Sequence, residues 1–191
     1  MTRTLILLFH RDIETSKANA ALREAAQDID GVQVVDMQAR YPGGVIDMDA
    51  DAASDAQMLQ SADRIVLQFP IQWYSTPALL KAWQDAVLTR MFYVCPDEGE
   101  LLKGKPIMVA MTLGNMPQAY ARDGANYFTV EELLVPLKAT AHRCGLIWHP
   151  AHLVYRADRL DPTEVTLAMN SYDQALERFI AATSGTDAQA A

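Results

Sequence analysis

The sequence predicts an α/β fold in which a parallel sheet is covered by helices on both faces. Short apolar runs, typical of strands buried on both faces, alternate along the chain with longer segments that carry helix caps and helix-forming residues. The chain has 191 residues, 50% of them apolar. That length and composition are enough for one well-buried α/β domain.

Five segments are predicted as strands. The first, "TLILLFH", is a continuous apolar run, as expected of a strand in the middle of a parallel sheet. The last, "LIWHPAHLVYR", contains Pro150, which is predicted to interrupt it because proline cannot donate a ladder hydrogen bond. The predicted strands cover residues 4–10, 32–37, 64–70, 105–114 and 146–156.

A helix is predicted after each strand, and most of these helices have recognisable ends. Ser16 is a good N-cap for the first, and Thr129 with Glu132 forms a capping box for the fourth. Asp161 precedes the last helix, with a proline at its first position. Pro77 is expected at the first position of the third helix, behind a Thr76 cap. The predicted helices cover residues 16–29, 52–62, 77–88, 129–145, with a kink at its proline, and 161–182.

The order of elements is therefore strand then helix, five times. Two doubly wound arrangements have this alternation, the six-stranded Rossmann order and the five-stranded flavodoxin-like order 2-1-3-4-5. The five strands and the modest length favour the flavodoxin-like fold. We expect residues 1–183 to form a single domain and the small, polar tail 184–191, "SGTDAQAA", to fray.

Composition excludes several classes of function. The formal net charge of −8 argues against nucleic acid or an anionic membrane as the main partner, since both attract Lys and Arg. Two cysteines are too few for a disulfide framework and indicate a reduced, cytoplasmic chain. The apolar run near the N-terminus is too short for a signal peptide or a membrane span.

In such sheets ligands bind at the carboxyl ends of the strands, where the strand order reverses. After the first strand, "FHRDIETSKAN" places Thr15 and Ser16 at a helix start, whose free N–H groups favour an anion, with His10 and Lys17 as further donors. The segment lacks both the Gly-x-Gly-x-x-Gly and the Gly-Lys-Ser/Thr fingerprints. A mononucleotide phosphate is possible here, and so is a simple helix cap.

After the third strand comes "PIQWYSTP", a connection that contains an adjacent Trp and Tyr. Aromatic side chains with polar tips can cover a flat heteroaromatic ring, and the Gln72 amide can bond to the edge of such a ring. The alternative is that Trp73 and Tyr74 cover the sheet end or a subunit interface. After the fourth strand, "TLGNMPQAY" offers Gly114 for close backbone approach and Tyr120 as a hydrogen-bond donor or an ordinary loop tyrosine.

Two possible metal sites have the wrong spacing. His142 and Cys144 stand two apart on a predicted helix and do not share a face. His149 and His152 stand an odd number apart on a predicted strand and point to opposite faces. The acidic run "DMDADAASD" lacks the glycine and the final glutamate of a calcium loop. No metal is predicted.

The segments "FH…SKAN", "FPIQWYSTPALLKAW" and "TLGN…AY" together resemble the flavodoxin-like NAD(P)H:quinone oxidoreductases. These include DT-diaphorase and, more closely, the cytosolic ancillary oxidoreductases of glutathione-gated potassium-efflux systems. The resemblance implies a non-covalent FMN, with FAD as the alternative, and a homodimer with its sites near the interface. It implies that a hydride passes from NAD(P)H through flavin N5 to a quinone in two half-reactions. It also raises a regulatory role on a membrane potassium-efflux transporter, or reduction of azo and nitro compounds.

The resemblance assigns roles by position. Tyr120 faces the substrate as a hydrogen-bond donor. The remaining residues bind the flavin: its phosphate and ribityl chain lie at His10, Ser16, Lys17, Ala18 and Asn19, and its ring lies between Pro70, Ile71, Gln72, Trp73 and Tyr74 on one side and Thr112, Leu113, Gly114 and Asn115 on the other. The chain departs from the family's Thr-Gly-Gly at Leu113, whose side chain is expected to shift that loop or narrow the substrate space. No histidine follows closely after Tyr120 to pair with it.

Overall fold

The strands of the protein, seen in a computed structural model that describes residues 3–184, lie close to their predicted positions. The sheet is parallel throughout, in the order β2-β1-β3-β4-β5, with β6 also paired to β4. The flavodoxin-like order is therefore confirmed. The predicted fifth strand is two short strands on either side of Pro150. The strands are β1 Thr4–Leu8, β2 Val32–Asp36, β3 Arg64–Pro70, β4 Pro106–Thr112, β5 Ile147–Trp148 and β6 His152–Val154.

Most helix ends are as predicted. The Ser16 hydroxyl caps α1, and capping boxes at Thr129 and Asp161 open α6 and α8. The predicted 129–145 helix is divided at Leu134, next to Pro136, which supplies no N–H donor. The helices are α1 Lys17–Gln27, α2 Met37–Arg40, α3 Asp51–Ser61, α4 Ala78–Trp83, α5 Pro96–Glu100, α6 Val130–Leu133, α7 Val135–Arg143 and α8 Pro162–Thr183.

The helix after β3 differs from the prediction at both ends. Pro77 is its N-cap, with extended ψ of 148°, rather than its first helical residue, and no side chain caps the helix. At its other end α4 continues as wider, π-helical turns through Gln84–Leu88 and Arg90–Val94. Pro96 then starts the short α5, which is not predicted from the sequence.

Alternating side chains of the sheet pack into two layers. Leu5 and Leu7 of β1 pack with α3, α4 and α7 on one face, and Ile6 packs with α1 and α8 on the other. All residues of β1 and β4 are buried, as expected of central strands in a doubly wound sheet. The arrangement fixes the carboxyl ends of β1, β3 and β4 at one edge of the molecule.

A buried polar chain crosses the α1/α8 side of the sheet below that edge. The Tyr172 hydroxyl donates to Gln68 Oε1 over 3.3 Å, and Gln68 Nε2 donates to the Asn19 carbonyl over 3.0 Å. Asn19 Nδ2 then donates to Thr112 Oγ1 over 2.9 Å. These bonds tie the first turn of α1 to the ends of β3 and β4.

The predicted frayed tail lies, from residue 185 on, outside the described residues. Ser184 accepts a hydrogen bond from the Arg64 guanidinium over 3.0 Å. Within residues 3–184, none of the helices is both long and apolar enough to cross a membrane.

Candidate active site

A two-lobed cleft lies at the carboxyl ends of β1, β3 and β4. The larger lobe, of about 680 Å³, and the smaller one, of about 310 Å³, share Ile71 and Trp73 in their walls. The larger lobe is lined by His10, Arg11, Thr15, Ser16, Lys17, Pro70, Ile71, Gln72, Trp73 and Asp158. The smaller is lined by Ile71, Trp73, Tyr74, Gly114, Asn115, Tyr120, Asn126 and Arg159.

The start of α1 forms one wall of the larger lobe. The Ser16 hydroxyl accepts the Asn19 N–H over 3.1 Å, which leaves the N–H groups of Lys17 and Ala18, in the first turn, without an intrahelical acceptor. Arg11 and the Lys17 ammonium add positive charge, and the helix dipole adds more. This wall can hold a phosphate or carboxylate.

His10 is neutral in this wall. Its Nδ1 accepts the Asp12 N–H over 3.2 Å, so the ring proton of the neutral form is on Nε2, which is left as a donor. Burial lowers the pKa of His10 below its usual value of 6.5, and the negative charge of Asp12 only partly opposes this. His10 therefore contributes a hydrogen bond to the lobe at neutral pH, not a full positive charge.

The "QWYS" connection is a tight two-residue turn where the lobes meet. Gln72 and Ser75 exchange two main-chain hydrogen bonds, of 2.9 and 3.0 Å. Between them Trp73 and Tyr74 have positive φ, 46° and 65°, the combination that hairpin turns of the I′ type require and that normally selects Asn-Gly. A left-handed conformation costs a bulky residue about 1–2 kcal/mol.

This turn presents both aromatic surface and main-chain donors. Trp73 is 94% exposed and Tyr74 49%. Within the described part of the chain, the N–H groups of Trp73 and Tyr74 make no main-chain hydrogen bond. The strained pair therefore offers two free N–H groups beside two aromatic rings, which suits the polar edge and the flat face of one heteroaromatic ligand.

Tyr120 lines the smaller lobe on a short 3₁₀ turn after β4. Its side chain is mostly buried, and its ring packs against Tyr155 with centroids 5.9 Å apart. Burial raises the pKa of Tyr120, and hydrogen bonds with the Asn115 main chain and the Asn126 side chain oppose the rise. The phenol is protonated at neutral pH and can donate to an acceptor in the lobe.

Four of the residues assigned to the flavin do not line the cleft with their side chains. Ala18 and Leu113 are buried in the two core clusters, and Asn19 and Thr112 bond to each other below the cleft. The Leu113 side chain is fully buried on the core side and lines neither lobe, so it does not narrow the substrate space, and the expected shift of the loop stays a prediction. The other ten flavin residues and Tyr120 line the cleft.

Besides Arg11 and Thr15, which stand in the predicted segment after β1, three lining residues were missed. Asp158 and Arg159 follow β6 in a segment that carries no motif, and Asn126 lies in the loop before α6. No sequence signal identifies them, because only the folded sheet brings the loop after β6 beside Gly114. The Asp158 carboxylate can accept hydrogen bonds from ligand hydroxyls between the lobes.

The histidine, cysteine and acidic residues that were considered as metal ligands do not form a metal site. Among the residues that the structure describes, no group of three or more His, Cys, Asp or Glu side chains is placed to hold a metal ion. Cys144 is buried, and burial raises the pKa of its thiol to about 11, so it is not a reactive thiolate.

A family model described as flavodoxin-like fold matches residues 2–179. The chain belongs to this family. It is 37% identical over 170 residues, 89% of this chain and 84% of the other, to an NAD(P)H oxidoreductase of Bacillus subtilis known as YdeQ, whose function is uncharacterized. It is 36% identical over 172 residues, 90% of this chain and 91% of the other, to the ancillary protein KefG of the glutathione-regulated potassium-efflux system of Pectobacterium carotovorum.

A similar solved structure contains FMN. The crystal structure of general stress protein 14 from Treponema denticola in complex with FMN superposes with a TM-score of 0.81 and 32% identity, over 94% of this chain and 98% of the other. The similarity confirms the fold and the family resemblance drawn from the "FPIQWYSTPALLKAW" block.

Proposed function

We propose that this protein is an FMN-dependent NAD(P)H oxidoreductase that reduces a quinone. The observation that carries the proposal is the cleft itself. An anion-binding helix start and a strained Trp73–Tyr74 turn with free N–H groups line adjoining lobes that share Ile71 and Trp73, as a phosphate joined by a hydroxylated chain to a flat ring requires. The FMN complex of the similar general stress protein 14 supports the choice of ligand.

The residues present fit FMN from end to end. The Ser16 cap, the N–H groups of Lys17 and Ala18, and the Lys17 ammonium would hold the phosphate. Asp158 would accept bonds from the ribityl hydroxyls. Asn19 and Thr112, which bond to each other beneath the cleft, act indirectly by fixing the first turn of α1 against β4.

The ring would lie at the junction of the lobes. The N–H groups of Trp73 and Tyr74 would bond to its polar edge, with Pro70, Ile71 and Gln72 beside them and Gly114 and Asn115 opposite. A Cβ added at Gly114 would meet only Asp158 Oδ2, at 3.5 Å, so glycine leaves its extra space to the ligand rather than relieving a clash. Leu113 supports this wall from the core side.

When bound, the flavin supplies the redox chemistry by taking a hydride from the nicotinamide and giving it to the acceptor. Tyr120 holds a proton at its phenolic oxygen and donates a hydrogen bond to a quinone carbonyl in the smaller lobe. Overall, NAD(P)H, one proton and a quinone give NAD(P)⁺ and a hydroquinone. The same lobe would receive nicotinamide and quinone in turn, and it would also admit flat azo or nitro compounds.

The test begins with the purified chain. We expect a yellow protein that releases FMN, identified by mass, on denaturation, that bleaches with NADH or NADPH without oxygen, and that regains colour with a soluble benzoquinone. Lys17→Gln should weaken FMN binding about tenfold, as expected for loss of a charged phosphate contact. Lys103→Gln, which breaks a surface pair with Glu100, is the control and should change nothing. A colourless chain that takes up neither FMN nor FAD would overturn the proposal, and release of FAD would correct the cofactor.

A second candidate function is that of an ancillary subunit of a potassium-efflux antiporter. The similarity to KefG supports it. Co-purification with such an antiporter, together with negligible turnover of every quinone tried, would favour this role over the enzyme. Turnover without any transporter partner would favour the enzyme.

We further propose that the protein is a cytoplasmic homodimer. Besides Trp73, the loop before α6 exposes Tyr127 and Phe128, which pack edge to face with centroids 5.3 Å apart. Exposed aromatic clusters of this kind mark interaction surfaces. Light scattering after size exclusion should give twice the chain mass of 21.1 kDa, and a monomer at micromolar concentration would contradict the dimer.

A further inference from the structure

A second cavity, separate from the cleft, lies between α8 and the segment that joins β5 to β6. Its volume is about 310 Å³, and it shares no lining residue with either lobe of the cleft. That volume is at the lower end of the range for small-molecule sites. Its walls are Met108, His149, Pro150, Ala151, His152, Ala175, Arg178, Phe179 and Ala182.

The cavity contains a buried imidazole with an unmatched nitrogen. His152 is only 9% exposed, and its Nε2 has no hydrogen-bond partner among the described residues. Its ring packs against the Tyr172 ring with centroids 5.0 Å apart, so the ring plane is held in place. A buried polar atom without a partner is rare in native proteins and calls for a water or a ligand.

The charge in the cavity comes from Arg178. Within residues 3–184 Arg178 forms no ion pair with any carboxylate. Burial, and then the charge of Arg178, lower the pKa of His152 to about 4, so His152 is neutral at pH 7. Burial also lowers the pKa of His149. The site therefore carries one unmatched positive charge.

The rest of the lining is apolar. Met108 projects from the middle of β4, and Phe179 packs against the His149 ring with centroids 5.1 Å apart. Ala151 and Ala182 are too small to fill the space. A ligand here would place an apolar body between the sheet and α8 and one polar group toward His152 and Arg178.

From this combination we infer that the cavity is a second binding site, for a small monocarboxylate with an aromatic or branched aliphatic body. The planar guanidinium of Arg178 matches a carboxylate. The neutral His152 ring, whose buried Nε2 has no partner among the described residues, lines the same cavity. The inference does not depend on the flavin, because it uses none of the cleft residues.

The test uses the full chain, saturated with FMN so that the cleft is filled, with its four histidines labelled with ¹³C in the ring. Benzoate is the probe. The ring signals of His149 and His152 should move and saturate, while those of His142 and of His10, in the cleft, should not. Benzyl alcohol, of similar shape without the charge, should bind about tenfold more weakly, as expected for loss of a charge-assisted bond.

Arg178→Gln should weaken benzoate binding about tenfold and leave the His10 and His142 signals of the free protein in place, because Arg178 is on the exposed side of α8 and neither histidine lines this cavity. Arg143→Gln, at the end of α7, is the matched control and should bind benzoate normally.

Signals of His149 and His152 that do not move, equal binding of the alcohol, or full binding by Arg178→Gln would each overturn the inference. Movement of the His10 signal alone would place benzoate in the cleft and also overturn it. The titration is repeated without FMN. Benzoate should still move the His149 and His152 signals, so the inference can hold even if the protein does not bind FMN.

Discussion

Two regions of the protein differ in whether their polar groups have partners within the chain: the cluster around Asp55 and the cleft. Asp55 is fully buried, yet it accepts the Tyr41 hydroxyl over 2.9 Å and the Trp83 indole N–H over 2.8 Å, and it pairs with Arg40 over 2.7 Å. In the cleft, the N–H groups of the Trp73–Tyr74 turn have no main-chain partner within the described residues.

The difference separates scaffold from site. Where the chain matches its own polar groups, as at Asp55, the bonds link α2, α3 and α4 and contribute to stability. Where it leaves groups free at the carboxyl ends of the strands, the matching partner is a ligand. Substitutions in the first region should therefore change the free energy of unfolding, and those in the second should change binding or turnover.

The largest effect is expected from Asp55→Ala. The substitution leaves the Tyr41 hydroxyl, the Trp83 N–H and the Arg40 charge without their shared partner. It should lower the free energy of unfolding by about 3 kcal/mol. Urea unfolding at pH 7 measures it. Asp85→Ala, which removes a surface pair with Lys81, is the control and should cost less than about 0.5 kcal/mol. Equal costs for the two would refute the assignment of Asp55 to the scaffold.

His152 belongs to neither region, because its Nε2 is buried without a hydrogen-bond partner among the described residues. Its burial makes the free energy of unfolding depend on pH. Burial and Arg178 lower its pKa from 6.5 to about 4. Between those values the unfolded chain binds a proton that the folded chain does not, so this histidine reduces stability progressively as the pH falls from 6.5 to 4. The loss amounts to about 3 kcal/mol at pH 4.

His152→Gln should remove this contribution. Urea unfolding at pH 7, 5.5 and 4 should give a shallower loss of stability in the variant than in the parent chain. His142→Gln, at an exposed position on α7, is the control and should keep the parent slope. A His152→Gln slope equal to that of the parent would contradict the lowered pKa.

In the cleft, Tyr120→Phe should lower quinone turnover about tenfold, which corresponds to about 1.4 kcal/mol in the barrier for one lost hydrogen bond. FMN affinity should change much less, because the phenol faces the smaller lobe. Steady-state kinetics and FMN titration measure the two effects. Tyr155→Phe, the ring packed against Tyr120, should retain turnover. Unchanged turnover in Tyr120→Phe would remove it from the mechanism.

The sequence predicts the scaffold better than the site because scaffold signals are local. The capping box at Thr129, the Asp161 cap and the broken last strand at Pro150 each rest on a few adjacent residues, and each is confirmed. The π-helical turns after Trp83 have no local signal, because they depend on how that helix packs.

Site residues divide in the same way. Ser16 and Tyr74 stand beside strand ends that the element order identifies, so their place in the cleft is predictable. Leu113 occupies a position where the family has another residue, and its burial on the core side depends on the folded core rather than on a local pattern. Asp158 comes to the cleft by a long-range contact, from β6 to Gly114, which no local pattern shows.

The smallest effect should come from the strained turn, and it has opposite signs for stability and binding. Trp73→Asn with Tyr74→Gly gives the Asn-Gly pair that positive φ at both positions favours. The variant without ligand should gain about 1 kcal/mol in free energy of unfolding, because two bulky residues leave the left-handed region. It should bind FMN about fivefold more weakly, since the free N–H groups remain but the rings that cover the flavin are lost. Tyr127→Asn, which also relieves a positive φ, of 64°, but lines neither lobe, should not lose FMN affinity. Weaker FMN binding by both variants would show that backbone strain in general, rather than the Trp73–Tyr74 rings, determines FMN affinity. The distinction between a scaffold region and a binding region would then be wrong.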